Sequence, residues 1–274
     1  MAETLALGLI VGLKDTIEQD LEHVAGLGLG TCQLSCWAPD RLDEQFARKV
    51  KAATAATGVR ISSFWAGHSG KTVWNFLDGP RTIGLVPPST RAQRLGELKL
   101  GSDFASMLEV PSITTHVGFI DEDPNRPEYA DLVRTLQDLA AHCRRNGQAF
   151  CFETGQETPV TLLRTIQDTG TDNLGINLDP ANLVLYGKAN PVDALEVFGS
   201  FVQGVHAKDG LYPTDGRALG KEVPLGEGKV DFPKLIGALK ELGYENPITI
   251  EREISGPQQV KDIKRAIEVL SPLL

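Results

Sequence analysis

The sequence predicts a single (β/α)8 barrel over residues 1–274, and three observations support this fold class. Short β-type runs alternate with longer helical stretches along the whole chain, and the alternation occurs eight times. The turns that lead into the strands are short, whereas several of those that leave them are long. Parallel strands need crossover connections, so this alternation is typical of a parallel sheet, and eight such units are the number that closes a barrel.

Each predicted strand is a short run rich in apolar and β-branched residues. The eight runs lie at residues 5–11, 30–37, 59–66, 111–118, 148–153, 174–179, 201–208 and 247–251. The first run, LALGLIV, follows MAET, which contains one acidic residue and no basic residue. We therefore expect it to be a strand and not the apolar part of a signal peptide.

The stretches between the strands carry apolar residues at helical spacing. They lie at residues 15–27, 42–56, 90–108, 128–146, 158–168, 191–199, 231–242 and 257–272. Gly58, Gly147 and Gly243 each stand where a glycine ends a helix before the next strand. A doubly wound open sheet is the alternative fold, but no glycine-rich phosphate fingerprint follows the first strand, which favours the barrel.

The overall composition excludes several classes of function. The net charge is −9, with 36 acidic and 27 basic residues, so we expect no nucleic-acid partner. No apolar run approaches the roughly 20 residues that span a bilayer, so we expect no membrane partner. Cys32, Cys36, Cys143 and Cys151 fall inside predicted strands or a helix, a use typical of reduced, buried thiols in a cytoplasmic protein.

The long connections all leave strands. They follow the third, fourth, sixth and seventh strands, at residues 67–89, 119–127, 180–190 and 209–230. In a barrel the connections that leave the strands lie together on the C-terminal face, where active sites are built. The sequence therefore predicts an active site at that face.

The last four predicted strands each end in a residue that can bind a metal. These residues are Glu153, Asp179, His206 and Glu251. Strand ends converge in a barrel, and carboxylates with one imidazole suit a divalent ion such as Mn²⁺, Co²⁺, Mg²⁺ or Zn²⁺. Three carboxylates at close range would repel one another without a cation. Glu153 and Glu251 also close apolar runs, FCFE and PITIE, where burial penalises an unpaired charge.

Two histidines and three tryptophans are further candidates. His68 comes just after the third strand and His116 lies near the end of the fourth, so each is a candidate for lining the pocket, binding substrate hydroxyls or adding to the metal site. Trp74 lies in the long loop after the third strand, and it is the best candidate for stacking on a bound ligand, ahead of Trp37 and Trp65. A packing role is the alternative for each of the five residues.

The motifs around these residues resemble one known family, the xylose isomerase-like barrels, which contain sugar isomerases and epimerases. The resemblance covers nearly the whole chain. It rests on FETGQETP at Glu153, NLDPANLVLYG at Asp179, VHAKDG at His206, TIEREI at Glu251, and a G-x-G-x-[VI]-[DN] segment with Gly226, Gly228 and Asp231.

The resemblance implies a chemistry for the site. In the family's ketose 3-epimerases a divalent metal, commonly Mn²⁺ or Co²⁺, is held by Glu, Asp, His and Glu, and the two glutamates exchange the substrate proton. Glu153 and Glu251 would then be ligands and acid–base catalysts, with Asp179 and His206 completing the site. The implied protein is an isomerase or epimerase that binds one divalent ion, Mn²⁺ first, acts on a keto sugar or keto-glycoside through an enediolate, and forms a dimer or tetramer.

The chain departs from the ketose epimerase pattern after two of the ligands. Those enzymes have a His three residues after the metal Asp, where this chain has Asn182. Their Arg after the metal His is replaced by KDGLYPTDGR, which makes Lys208 a candidate for contacting substrate oxygens, with Asp209 and Arg217 as weaker candidates. With these departures and its long 68–94 loop, the chain resembles the branch of the family that acts on larger or oxidised sugars, such as the epimerases of 3-keto-glycosides.

Other functions remain open from the sequence. A metal-dependent lyase or dehydratase, or an enzyme that cleaves C-glycosides after oxidation, would use the same proton abstraction. An endonuclease IV-like DNA-repair enzyme would need three zinc ions, and Asn182 and the acidic charge speak against it. A non-catalytic sugar-binding subunit is a further alternative.

Overall fold

Eight parallel strands close a barrel in the computed structural model, which describes residues 4–274. The strands are β1 (Leu7–Gly12), β2 (Thr31–Cys36), β3 (Arg60–Ala66), β4 (Ser112–Thr115), β5 (Ala149–Glu153), β6 (Leu174–Leu178), β7 (Val202–Ala207), β8 (Asp209–Leu211), β9 (Lys221–Val223) and β10 (Ile248–Ile250). The barrel order is β1-β10-β7-β6-β5-β4-β3-β2, while β8 and β9 form a separate antiparallel pair. The predicted (β/α)8 barrel is confirmed.

Helices lie between successive barrel strands. They are α1 (Ile17–Gly26), α2 (Glu44–Thr57), α3 (Gly79–Thr82), α4 (Pro88–Met107), α5 (Pro127–Arg145), α6 (Pro159–Thr169), α7 (Pro180–Leu185), α8 (Pro191–Phe198), α9 (Phe232–Glu241) and α10 (Pro257–Leu270). Six of them begin with proline, whose fixed φ suits the first helical position. Gly58, Gly147 and Gly243 have φ of 72°, 71° and 76°, the left-handed conformation expected of a glycine after a helix.

Three of the predicted loops contain regular structure. The 67–89 segment includes α3, the 180–190 segment includes α7, and the 209–230 segment includes the β8–β9 hairpin. The fourth strand is also shorter than predicted. Its chain leaves the sheet because the Val117 carbonyl accepts hydrogen bonds from the backbone N–H groups of Leu85 and Val86, at 2.8 and 3.1 Å.

The core has an apolar layer outside the barrel and a polar interior within it. Phe64 of β3 packs on Phe104 of α4 with ring centroids 5.5 Å apart. All four cysteines are buried and free, as predicted. Within residues 4–274, no helix combines the length and the apolar character needed to cross a membrane.

Candidate metal centre and the cavity above it

Four side chains converge at the C-terminal end of the barrel. Glu153 closes β5, Asp179 follows β6, His206 lies in β7, and Glu251 follows β10. Each offers one ligand atom, and these four atoms all lie within 4.8 Å of one another. Glu153, Asp179 and His206 are buried, while Glu251 is slightly exposed. The structure therefore brings together the four residues that the sequence predicted as ligands.

The atoms that face one another in this cluster lack hydrogen bonds. Nδ1 of His206 lies 3.2 Å from Oε1 of Glu153, 3.0 Å from Oε2 of Glu251 and 3.9 Å from Oδ2 of Asp179. Among the residues described, Nδ1 of His206, Oδ2 of Asp179 and Oε2 of Glu251 are buried without a hydrogen-bond partner. Unpaired buried polar atoms are rare and costly, so their convergence fits a bound cation. One nitrogen and several carboxylate oxygens are a donor set for a divalent metal.

Burial and mutual charge shift the pKa values of the cluster in opposite directions. Burial raises the pKa of Glu153 to about 7. Against the effect of burial, the carboxylates of Glu153 and Glu251 raise the pKa of His206 well above its ordinary value. The charges of Lys208 and His206 outweigh burial at Glu251 and lower its pKa. The raised pKa values favour protons on Glu153 and His206 while no cation is bound. A bound metal ion would displace these protons, because metal ligands must be deprotonated.

The ring of His206 is oriented from behind by Gln33 of β2. Nε2 of His206 lies 2.5 Å from Oε1 of Gln33, and Nε2 of Gln33 donates to Oδ1 of Asn177 at 3.2 Å. All three side chains are buried inside the barrel. Gln33 was not predicted from the sequence, although a glutamine in the middle of the run TCQLSC is a recognisable polar interruption of a core strand.

Lys208, predicted as a contact for substrate oxygens, lies directly beside the cluster. Its buried Nζ is 3.5 Å from Oδ2 of Asp179, 3.5 Å from Oε2 of Glu251 and 3.2 Å from Oε1 of Glu253. It also donates to Oδ1 of Asn182 at 3.4 Å. Although burial opposes it, these carboxylates raise the pKa of Lys208 well above its ordinary value, so the ammonium stays charged and offsets part of their repulsion.

A cavity of about 520 Å³ opens above the cluster, a size within the range of small-molecule sites. Glu153 and Glu251 both line it. The other lining residues are Ile10, Ser35, Trp37, Trp65, Trp74, His116, Asn182, Leu185, Tyr186, Leu219, Arg252, Glu253, Ile254 and Gln259. The cavity thus gives a small molecule access to the two glutamates.

One wall of the cavity is aromatic. The indole N–H of Trp65 donates to Oε2 of Glu153. The Trp37 ring lies against Trp65, with centroids 4.7 Å apart, and Trp74 meets Trp37 at 6.1 Å and His116 at 5.2 Å. Burial lowers the pKa of His116 to about 3, so this imidazole is neutral at physiological pH. His116 also lies 3.8 Å from Oε1 of Glu153.

The predicted substrate-binding residues divide into two groups. His116, Trp74 and Asn182 line the cavity, and Lys208 lies beside the ligand cluster. His68 is buried outside the lining, with its ring 5.5 Å from that of Trp37 and its Nδ1 hydrogen-bonded to the carbonyl of Ser69. Arg217 is exposed and is not among the lining residues. The structure therefore does not bring His68 or Arg217 into the cavity.

Asp209, a weaker candidate from the sequence, holds a loop. Its buried carboxylate accepts backbone N–H hydrogen bonds from Gly210, Gly226, Gly228 and Val230 at 2.8 to 3.1 Å. A Cβ on Gly228 would lie 2.0 Å from Oδ1 of this carboxylate. The glycines of the G-x-G motif therefore allow close backbone approach to Asp209.

Arg252 is a cavity residue that the sequence analysis missed. Its guanidinium pairs with Glu222 at 2.9 Å and with Asp262 at 2.7 Å, which joins the β8–β9 hairpin to α10. The available signal was its place directly after Glu251 in TIEREI. Leu219 and Ile254 also line the cavity, and the sequence offers no way to predict this because their side chains have no reactive or polar group.

Comparisons with known proteins agree with this fold. A crystal structure of a xylose isomerase domain protein from Planctomyces limnophilus is similar with a TM-score of 0.93 and 38% identity, over 99% of this chain and 98% of that one. The crystal structure of 3-keto-D-glucoside 4-epimerase from E. coli has the same fold, with a TM-score of 0.72 and 16% identity over 98% of this chain and 100% of that one.

A curated relative and a family model extend the comparison to the sequence. An uncharacterized protein of Methanocaldococcus jannaschii is 30% identical over 178 residues, which are 61% of this chain and 57% of that protein. The chain thus spans little more than half the length of that relative. The model described as "Xylose isomerase-like TIM barrel" matches residues 21–273. The match covers nearly the whole chain and confirms the resemblance, and the chain belongs to the xylose isomerase-like TIM barrel family.

Proposed function

We propose that the protein is a divalent-metal-dependent sugar isomerase or epimerase. It would remove a proton next to the carbonyl of a keto sugar or keto-glycoside and return it through an enediolate. One observation carries this proposal: buried, unpartnered ligand atoms of Asp179, His206 and Glu251 converge beside Glu153 under a cavity of about 520 Å³. The fold alone does not determine the reaction, so the proposal depends on this site.

The metal is proposed from the donor set. Glu153, Asp179, His206 and Glu251 would hold one divalent ion, with Mn²⁺ as the first choice and Co²⁺, Mg²⁺ or Zn²⁺ as alternatives. When bound, such an ion supplies Lewis-acid stabilisation of the negative oxygen that forms beside a deprotonated carbon.

Proton transfer is assigned to the two glutamates. Glu153 and Glu251 approach the cavity from β5 and β10, which lie three positions apart around the barrel. Carboxylates on two sides of one carbon can remove a proton from one face and return it to the other, which inverts the centre. General acid–base catalysis of this kind contributes on the order of 10²–10⁴-fold.

The polar groups around the cluster are assigned to bind the oxygen atoms of the substrate. The neutral imidazole of His116 and the amide of Asn182 face the cavity, and the ammonium of Lys208 lies beside two of the ligands. Trp74 offers a ring for stacking. Within this proposal His68 packs against Trp37 and so supports the aromatic wall of the cavity. A substrate contact by Arg217 stays a prediction.

Solvent deuterium exchange tests the proposal. The metal-loaded protein is incubated in D₂O with a panel of keto sugars and 3-keto-glycosides. We expect Mn²⁺-dependent incorporation of deuterium next to the carbonyl, with formation of the epimer or isomer. Glu153→Gln and Glu251→Gln should each abolish exchange, whereas Glu196→Gln, on the exposed face of α8, should not change it. Exchange that persists in both site variants would contradict the acid–base assignment.

The same experiment separates the alternatives. Loss of water or cleavage of a C-glycoside would indicate the lyase, dehydratase or C-glycoside-cleaving reaction. Three metal ions per chain with cleavage at abasic sites would indicate an endonuclease. Sugar binding without exchange would indicate a non-catalytic subunit.

We also propose a cytoplasmic homo-oligomer, a dimer or tetramer, without a nucleic-acid partner. The free, buried cysteines support the reducing compartment, and the net charge of −9 supports the absence of a nucleic-acid partner. The oligomer is proposed from the family resemblance.

A further inference from the structure

We propose that Trp37 and Trp74 form an outer subsite that binds a second ring, so that the preferred substrate is a glycoside of two rings and not a free monosaccharide. The second ring would be a sugar or an aryl group joined to the reacting sugar. This inference rests on the proposed function, because it takes the reacting carbon to lie beside Glu153. We call the pair Trp37 and Trp74 the outer aromatic pair.

The aromatic side chains lie in a definite order from the cluster outwards. The buried Trp65 donates to Glu153, Trp37 lies against Trp65 at 4.7 Å, and Trp74 lies against Trp37 at 6.1 Å. Trp65 is 5% exposed, whereas Trp37 and Trp74 are 45% and 42% exposed. A sugar ring whose reacting carbon is beside Glu153 meets Trp65 first. Because Trp37 and Trp74 are far more exposed than Trp65, the outer aromatic pair lies towards the mouth of the cavity, where a second ring would reach it.

The exposed faces of the outer aromatic pair are apolar surface that a ligand can cover. Both rings line the same cavity as Glu153 and Glu251, and Leu219 and Ile254 also border it. Aromatic faces bind the apolar C–H faces of sugars and the rings of aryl groups by packing. An exposed apolar patch that continues into a polar cavity is typical of a ligand-binding site.

The segment that carries Trp74 is held in place by its own hydrogen bonds. Oδ1 of Asn75 accepts from the backbone N–H groups of Leu77, Asp78 and Gly79 at 2.6 to 3.3 Å. Arg94, a buried residue of α4, donates to the carbonyl of Gly84 at 2.8 Å. A ring positioned before the ligand arrives loses little conformational entropy on binding.

Isothermal titration calorimetry on the Mn²⁺-loaded protein tests the subsite without turnover. The probes are methyl and phenyl D-glucopyranosides of both anomers, which lack the reactive carbonyl. For at least one anomer we expect the phenyl glycoside to bind about tenfold more tightly than the methyl glycoside, the scale of one aromatic contact. Trp37→Ala and Trp74→Ala should each bring this ratio close to one, and Trp74→Phe should keep most of it.

Tyr212→Ala is the matched control, because this aromatic ring is also 42% exposed and does not line the cavity. It should leave the ratio unchanged. A ratio near one in the unaltered protein for both anomers overturns the subsite, and so does an unchanged ratio in both alanine variants. Mn²⁺ titration of each variant checks that the cluster is intact. Absence of deuterium exchange would overturn the proposed function while leaving the binding ratio to decide the subsite separately.

Discussion

Oε1 of Gln33 lies 2.5 Å from Nε2 of His206, and both side chains are buried inside the barrel. Because a neutral amide oxygen only accepts hydrogen bonds, this contact needs an N–H at Nε2, and it is shorter than the 3.1 Å that separates Nε2 from Nδ2 of Asn177. The other ring nitrogen, Nδ1, faces the three carboxylates. Their charges favour a proton on Nδ1 in the metal-free cluster, and a bound cation would displace that proton and take the lone pair. The hydrogen bond from Gln33 to Asn177 fixes which end of the amide faces the ring.

Replacement of Gln33 should therefore weaken metal binding. We expect Gln33→Leu to reduce Mn²⁺ affinity by about 10–100-fold, the usual effect of removing a group that orients a metal-binding histidine. Gln33→Glu keeps an acceptor for Nε2–H and should retain the affinity. Calorimetric titration with Mn²⁺ measures both variants, and unaltered affinity in Gln33→Leu would refute the orienting role.

Asp179 combines two tasks that one substitution can separate. Its Oδ1 accepts the backbone N–H of Asn182 at 2.9 Å and caps α7, while its Oδ2 faces the cluster without a partner. We expect Asp179→Asn to keep the cap and lose the stabilisation by Mn²⁺, which at 100 times Kd amounts to about 2.7 kcal/mol. Thermal unfolding with Mn²⁺ and with a chelator measures this difference. A full Mn²⁺-dependent shift in the variant would contradict the ligand assignment.

Glu157 should make stability depend on pH. Burial raises its pKa from an ordinary 4.5 to about 8. Between these values the folded state holds a proton that the unfolded state releases, so its contribution to stability is full below pH 4.5 and is lost as pH rises towards 8. The loss amounts to at most about 1.4 kcal/mol per pH unit.

The neutral variant Glu157→Gln should show a flatter fall in unfolding free energy between pH 5 and 8, with urea unfolding as the measurement. The exposed Glu196→Gln should behave like the unaltered protein. Equal pH dependence in Glu157→Gln and the unaltered protein would mean that Glu157 is not held protonated.

Asp209 should matter for stability more than for proton transfer. Its carboxylate accepts four backbone N–H groups, from Gly210 and from the segment 226–230. Asp209→Ala leaves these donors without their acceptor, and each buried unpaired group costs roughly 1–3 kcal/mol. We expect a loss of at least about 3 kcal/mol in urea unfolding, together with faster proteolysis after residues of the 209–230 segment. A loss below about 1 kcal/mol would show that water replaces the carboxylate.

The barrel and the clustering of the four candidate ligands could be predicted because their signals are local. Short apolar runs, glycines after helices and a carboxylate or imidazole at the end of each of the last four strands are visible without the fold, and the barrel order then brings Glu153 and Glu251 together. Gln33 could not be found in this way, because its partner His206 is 173 residues away in the chain. The loop role of Asp209 also depends on tertiary contacts, with Gly226 and Gly228.

In the proposed function, catalysis and selectivity rest on separate parts of this chain. The four candidate ligands lie at the ends of barrel strands, whereas Trp74 belongs to a segment bound to α4, where Arg91 donates to the carbonyls of Leu85 and Val86 at 2.7 and 2.6 Å. Sequence changes in that segment can therefore alter which substrates bind without changing the residues proposed for catalysis. For protein engineering, residues 67–87 form a unit that can be exchanged between relatives, provided that Arg91 and Arg94 of α4 are transferred with the segment.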